Sequence, residues 1–327
     1  MLPSSLYTYV WNTSRQEQVK IALLIAVVAP LSAAPLELQR QIVDHAINDR
    51  SILELGTLGL IYLVVALVQG GLKYVLNLMK GRTFEIVTRD LRRRIVQKVF
   101  RHDHAAGDRE RPAMDPGTTV SMLAAESEEI GGFASESISV PLLQIGTMLW
   151  VLGYLIWVEP LIAALAIVVY VPQAFMVPYI QRSINILARR RTRLVRKLGR
   201  DVATGLDSPL ANRDGPHGRI RTLIDEIFGV RIRIYRYKYF LTFFGNFLDA
   251  LGPIIVLVFG GYLVIQGQTD IGTLVVFISG FQKISGPWDE LINFYRTISN
   301  TRVTYGLAVT ALSESDQPMG ARHAVPS

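Results

Sequence analysis

The stretch LGTLGLIYLVVALVQGGLKYVLNLMKGRTFEIVTRDLRRRIVQKVF, residues 55–100, contains no proline and does not stop where a lipid bilayer would. Up to Leu78 it is apolar. Beyond that it is amphipathic: Phe84, Val87, Leu91, Ile95 and Val99 recur at steps of three and four, with Arg and Lys between them. This spacing predicts one continuous helix that carries an apolar stripe past its apolar half. About 45 residues at 1.5 Å each reach roughly 70 Å, more than twice the ~30 Å thickness of a hydrocarbon core. Such a helix is expected to cross a membrane and project far beyond it.

Five more apolar runs lie around this one, near 19–43, 141–157, 161–179, 241–265 and 271–284. All but the last approach the ~20 residues a span requires. The loops between the runs differ in sign. Between the second and third runs lie Lys80, Arg82, Arg89, Arg92, Arg93, Arg94, Lys98, Arg101, Arg109 and Arg111. Between the fourth and fifth lie Arg182, Arg189, Arg190, Arg191, Arg193, Arg196, Lys197 and Arg200. The other three gaps hold Arg50 as their one basic residue, with Asp44, Asp49, Glu54, Glu159 and Asp270. Basic loops stay on the cytoplasmic side. The expectation is an all-α membrane protein with six transmembrane helices, long cytoplasmic extensions and both termini inside, in a bacterial cytoplasmic (inner) membrane.

Half of the 327 residues are hydrophobic and the net charge is +7. Topology accounts for that excess of Lys and Arg, so no nucleic-acid partner is expected. The absence of cysteine excludes disulfides, thiolate metal sites and a cysteine nucleophile. Residues 1–18 read as a cytoplasmic lead with an interfacial helix, 19–312 as the membrane domain and 313–327 as a polar tail. Pro30 and Pro35 predict a kink in the first span. Gly107, Pro112, Pro116 and Gly117 break the chain after the long second helix, and a helix resumes from Thr118 through Trp157. Glu159-Pro160 joins the third and fourth runs in a tight outer hairpin. Turn signals at 207–218 interrupt a second pair of overlong helices.

In this layout the chain resembles the membrane domain of an exporter-type (type IV) ABC transporter, over about residues 15–312. The strongest piece reads Gly260-Gly261-Tyr262-Leu263-Val264-Ile265, Gly267, Asp270-Ile271-Gly272, Leu274-Val275-Val276-Phe277 and Gly286-Pro287. The family places a glycine turn there, then a helix that breaks near the proline, and Gly267 and Gly272 would permit the reversal. Pro35 followed by Ile42-Val43-Asp44 is a second piece. The stretch from Leu91 through Gly117 to Glu126 is a third, with Glu126 where the family usually has Asp. The resemblance implies the type 1 exporter architecture, a domain-swapped homodimer or heterodimer, and a translocation path worked by alternating access. It also implies an ATPase domain, yet the chain contains no Gly-x-x-x-x-Gly-Lys-Ser/Thr to cradle a phosphate. The chain is therefore expected not to be an ATPase itself and to hold no cofactor. ATP and Mg would enter through a partner. That partner is either a separate ATP-binding polypeptide, the reading preferred, or a domain lost by truncation. The competing class is a six-span secondary carrier or membrane scaffold, which would more often show short interrupted spans.

Polar residues inside spans are costly in lipid and mark candidate cavity positions: Asp249, Gln144, Asn77 and Lys73. Asp249 precedes Gly252-Pro253, and Pro253 removes the hydrogen bond to the Asp249 carbonyl. Glu37 and Arg40 read as a mutual pair. The inner faces otherwise hold few charges, which suits a hydrophobic or amphipathic substrate. The tips of the two protruding helix pairs are candidate ATPase-docking loops: Arg109, Arg111, Met114 and Asp115 in the first, Asp207, Leu210 and Arg213 in the second. His102-Asp103-His104 reads as a helix terminus rather than a metal site. Glu126, Glu128 and Glu129 read as acids favoured at a helix start. Arg189-Arg190-Arg191 reads as a juxtamembrane cluster able to touch anionic lipid.

Overall fold

A computed structural model describes residues 3–47, 52–105, 116–206 and 216–314 of the chain. The described residues are almost entirely helical and form no strand. Among them, four helices are long and apolar enough to cross a membrane: Leu6–Asp44, Ile52–Val99, Thr119–Val158 and Ile220–Ile265. The chain divides into two compact units, Met1–Val158 with Asp270–Ser327, and Glu159–Thr269.

The first unit opens with α1 (Leu6–Leu31). The interfacial lead and the first span are one helix with a kink at Ser14, whose φ of −131° is non-helical. The Ser14 hydroxyl donates to the Val10 carbonyl at 2.8 Å, the competition with the backbone ladder that bends helices. Beyond the kink Ile21, Ile25 and Val28 are buried at steps of four and three. The proline-rich segment then separates α1 from α2 (Ala34–Gln41), which continues as a π-turn, Ile42–Ile47. Pro35 sits in the first turn of α2, where an N–H would have no acceptor within that helix.

Helix α3 (Ile52–Ala105) is the long helix expected, 54 residues or about 80 Å. Its most apolar stretch is not buried within the chain. Further on, Val87, Leu91 and Ile95 are fully buried, so the stripe read from residues 84–99 does pack. His102, Asp103 and His104 occupy its last turn. The described residues include no group of three or more potential metal ligands.

The helix expected to run from Thr118 is present as Thr119–Val158, with local irregularities that divide it into α4 (Pro116–Ser121), a π-turn (Met122–Glu126), α5 (Ser127–Glu136) and α6 (Ser139–Val158). Serine hydroxyls accompany these irregularities. The Ser127 hydroxyl donates to Met122 O at 2.6 Å, Ser137 to Ala134 O at 2.9 Å and Ser139 to Ser135 O at 2.7 Å. Each takes up a carbonyl of the helical ladder.

Helix α10 (Ile271–Glu314) runs through Pro287 without the expected break. Pro287 removes one hydrogen bond, to the Lys283 carbonyl, and the helix continues. Its second half closes a core with the start of α1, the stripe of α3, and α5. Tyr9, Leu91, Met122, Phe133, Phe294, Tyr305 and Leu312 are among the buried members. The Tyr9 phenol donates to Asp90 at 2.9 Å, and its ring stacks on Tyr305 at 5.6 Å. Tyr305 donates to Pro3 O at 2.6 Å. Burial pushes the Tyr305 phenol up to about 12, so it remains a donor throughout the physiological pH range. The three glutamates of this region take structural partners. Glu128 pairs with Arg92 at 2.8 Å, Glu129 accepts from Thr304 at 2.9 Å, and Glu126 accepts from Ser121 at 3.4 Å.

The second unit is a helical pair, α7 (Pro160–Leu206) and α8 (Pro216–Ile255), followed by a π-turn at Val256–Gly260 and α9 (Gly261–Ile265). The pair is antiparallel. Gly245 of α8 lies against Gln173 of α7, and farther along Arg190 of α7 pairs with Glu226 of α8 at 2.5 Å. The middle arginine of the 189–191 cluster is thus an interhelical contact. After α9 the chain turns at Gly267, whose φ of +69° only glycine adopts readily. Gly272, expected to serve the same turn, lies inside α10 and has a different role.

Candidate functional site

Where α1 gives way to α2, two backbone carbonyls lose their helical donors. Pro35 has no N–H to offer Leu31 O, and the Leu36 N–H turns to Ala33 O at 2.9 Å instead of Ser32 O. Two side chains from neighbouring helices take their place. Gln69 of α3 donates to Leu31 O at 2.5 Å, and Lys283 of α10 donates to Ser32 O at 2.8 Å. In a bilayer an unmet carbonyl costs several kcal/mol, so these two polar side chains hold the break open as a formed structure.

The same side chains face a cavity of about 400 Å³ between α1, α3, α6 and α10. On α3 its wall is Gln69, Lys73, Asn77 and Lys80, a stripe at steps of four, four and three. On α10 it is Lys283, Pro287 and Glu290, spaced by four and three. Gln144 and Thr147 come from α6. Buried Gln144 donates its amide to Glu290 in a short contact. Counting from Leu55, Lys73 lies about 27 Å along α3, toward the far edge of a ~30 Å hydrocarbon layer.

Three candidate positions, Lys73, Asn77 and Gln144, therefore meet in one cavity. Asp249 lies in the other unit, partly exposed on α8 one turn before Pro253. Lys80, Lys283, Glu290, Gln69 and Thr147 were not anticipated. Lys80 continues the Lys73–Asn77 stripe into the basic segment that follows the span. Lys283 and Glu290 sit one heptad apart around a proline where the last span was taken to end. The expectation of an inner face with few charges is not met here: three lysines and a glutamate line this cavity.

Glu37 and Arg40 do not pair with each other. Glu37 accepts from Tyr154 at 2.6 Å and from Gln41 at 2.8 Å, while Arg40 faces Asp44 at 3.5 Å. The Glu37 carboxylate is already engaged by the Tyr154 phenol and the Gln41 amide. Asp44 in turn accepts the Gly272 N–H at 2.8 Å, capping the start of α10 with a carboxylate from 228 residues away. Arg109, Arg111, Met114, Asp115, Asp207, Leu210 and Arg213 lie outside the described residues.

A comparison with curated proteins gives no match. Against protein families, residues 21–203 match the ABC transporter transmembrane region. That match covers more than half of the chain, and it spans the first overlong helix and three walls of the cavity. The chain belongs to the ABC transporter transmembrane region family.

Proposed function

We propose that the chain is the membrane-spanning subunit of an ABC transporter that forms its translocation path by alternating access. The family match over 21–203 carries this reading. Six spans are proposed: the four helices named above, and two more in the apolar first halves of α7 and α10. Both termini are placed in the cytoplasm, the orientation the basic loops favour, and the membrane is read as a bacterial inner membrane. The energy comes from ATP and Mg bound by a separate ATP-binding subunit. The subunit works as a homodimer or heterodimer in which α7 and α8 exchange between protomers. The separation of those two helices into a compact unit of their own favours this exchange. Helices of 40 to 54 residues are long enough to act as rigid levers between the ATPase and the bilayer.

Photocrosslinkers placed at Arg109, Met114, Leu210 and Arg213 are expected to capture an ATP-binding subunit in membranes that contain the assembled transporter. Capture of lipid alone would refute the docking role of both loops.

Asp249 is proposed to face the translocation path of the assembled dimer. Asp249→Asn is expected to leave assembly intact and lower transport several-fold. Loss of assembly would assign Asp249 to interhelical packing instead, and unchanged transport would remove it from the path.

A further inference from the structure

The cavity between α1, α3, α6 and α10 holds more positive charge than its own residues neutralise. Lys73, Lys80 and Lys283 line it together, and Glu290 is the one carboxylate among the lining residues. That carboxylate is already engaged by the Gln144 amide. Among the described residues, no Asp or Glu lies within ion-pair distance of any of the three lysines. Lys283 is held by a neutral carbonyl, that of Ser32. Lys73 is exposed to the cavity and Lys80 is half-exposed.

Lys73 and Lys80 lie at and just beyond the far edge of the hydrocarbon layer, where an anion could reach them from water. Three ammonium groups gathered around one cavity repel one another. An anion entering the cavity would relieve the repulsion and take charge-assisted hydrogen bonds from the lysines. Asn77 and Thr147 add neutral donors beside them. Val28, Leu76, Val140 and Leu143 give the wall an apolar part. A volume of about 400 Å³ lies at the lower end of small-molecule sites, enough for a head group and the start of a chain.

We propose that this cavity binds the anionic head group of an amphiphile, a phosphate, sulfate or carboxylate, with Lys73 and Lys80 as its principal contacts and Lys283 closing the site from the α1–α2 break. This rests on the reading of the chain as a transport subunit and names the substrate class of that path. A purely hydrophobic molecule would leave the repulsion among the three ammonium groups unrelieved, and a cationic one would add to it.

The test is equilibrium binding of radiolabelled dodecyl phosphate to the full chain in phosphatidylcholine nanodiscs, with empty discs as the blank. Saturable binding is expected, displaced by unlabelled dodecyl phosphate far better than by neutral dodecyl maltoside. Lys73→Gln and Lys80→Gln should each weaken it by about tenfold, the scale of one charged hydrogen bond. Lys73→Arg and Lys80→Arg should retain it, which a merely structural role for the lysines would not predict. Lys283 is left in place, because it also supports the Ser32 carbonyl. Discs containing phosphatidylglycerol distinguish the source of the anion. Weakened probe binding there assigns the site to anionic lipid of the bilayer, and unchanged binding assigns it to a free anionic amphiphile. Equal displacement by dodecyl maltoside, or binding by both glutamine variants as tight as the parent's, would overturn the proposal. No ATPase takes part in this assay. Failure here leaves the transporter reading standing, and failure to capture an ATP-binding subunit leaves this site standing.

Discussion

Gly131→Ala is expected to destabilise the protein by about 3 kcal/mol, the upper end of the usual cost of overpacking. At Gly131 the backbone of α5 passes so close to α3 that an added Cβ would overlap the Thr88 hydroxyl and lie 3.0 Å from the Phe84 carbonyl. The hydroxyl could turn away, but the carbonyl belongs to a helix and cannot. Thr88 and its neighbours Val87 and Leu91 are fully buried, so the strain has no route to the surface. Gly132→Ala is the control. Its Cβ would meet only the Phe84 ring, at 3.9 Å, and the gain in helix propensity should leave stability level or slightly higher. Thermal unfolding of the purified full chain checks both. Thr88→Ala added to Gly131→Ala should restore part of the loss and not all of it. Equal unfolding temperatures for Gly131→Ala and the parent would mean that α3 and α5 do not approach this closely.

The second large effect is expected at Gly272, where an added Cβ would overlap the Asp44 carboxylate. Here the obstacle is the end of a side chain, so it can swing aside. Doing so gives up the hydrogen bond to the Gly272 N–H at 2.8 Å and the charge that faces Arg40 at 3.5 Å. Gly272→Ala should therefore cost about 2 kcal/mol, and Asp44→Ala a similar amount, the scale of a hydrogen bond to a charged group. The two should not add. Once Asp44 is alanine, the methyl at 272 has room, and the double variant should unfold close to the Asp44→Ala single. Strict additivity would show that the contact between α10 and the end of α2 does not form.

These two glycines differ in how far they could be read in advance. Gly267 sat in a recognisable turn, and its φ of +69° meets that expectation because backbone conformation is local. Gly272 was assigned to the same turn from its nearness in sequence. It is helical, and glycine is required there by a carboxylate 228 residues away. Gly131 carried no signal of its own, because nothing in its flanking residues says that another helix passes over it.

Local periodicity was enough for much of the molecule. The stripe of Val87, Leu91 and Ile95 and the continuity of α3 beyond any membrane thickness follow from spacing and from the absence of proline. The family follows too, because its marks are the rhythm of long helices and the placement of glycine and proline along one chain. The serine hydroxyls that accompany the irregularities from α4 to α6 compete with the backbone at short range, yet which of them turns inward depends on the neighbouring helices.

The cavity was half legible. Lys73 and Asn77 stood out as polar residues in an apolar run, and Gln144 did so on another helix. Nothing in either run told that they share a wall with Lys283 and Glu290, or that an amide from α6 would occupy the glutamate and leave the lysines without a carboxylate. The sequence by itself determined the presence of long helices and the faces that are apolar, because these depend on residues three and four apart. Only the tertiary structure decided which polar faces meet, because the rotation of each helix about its axis is set by packing against helices far away in the chain.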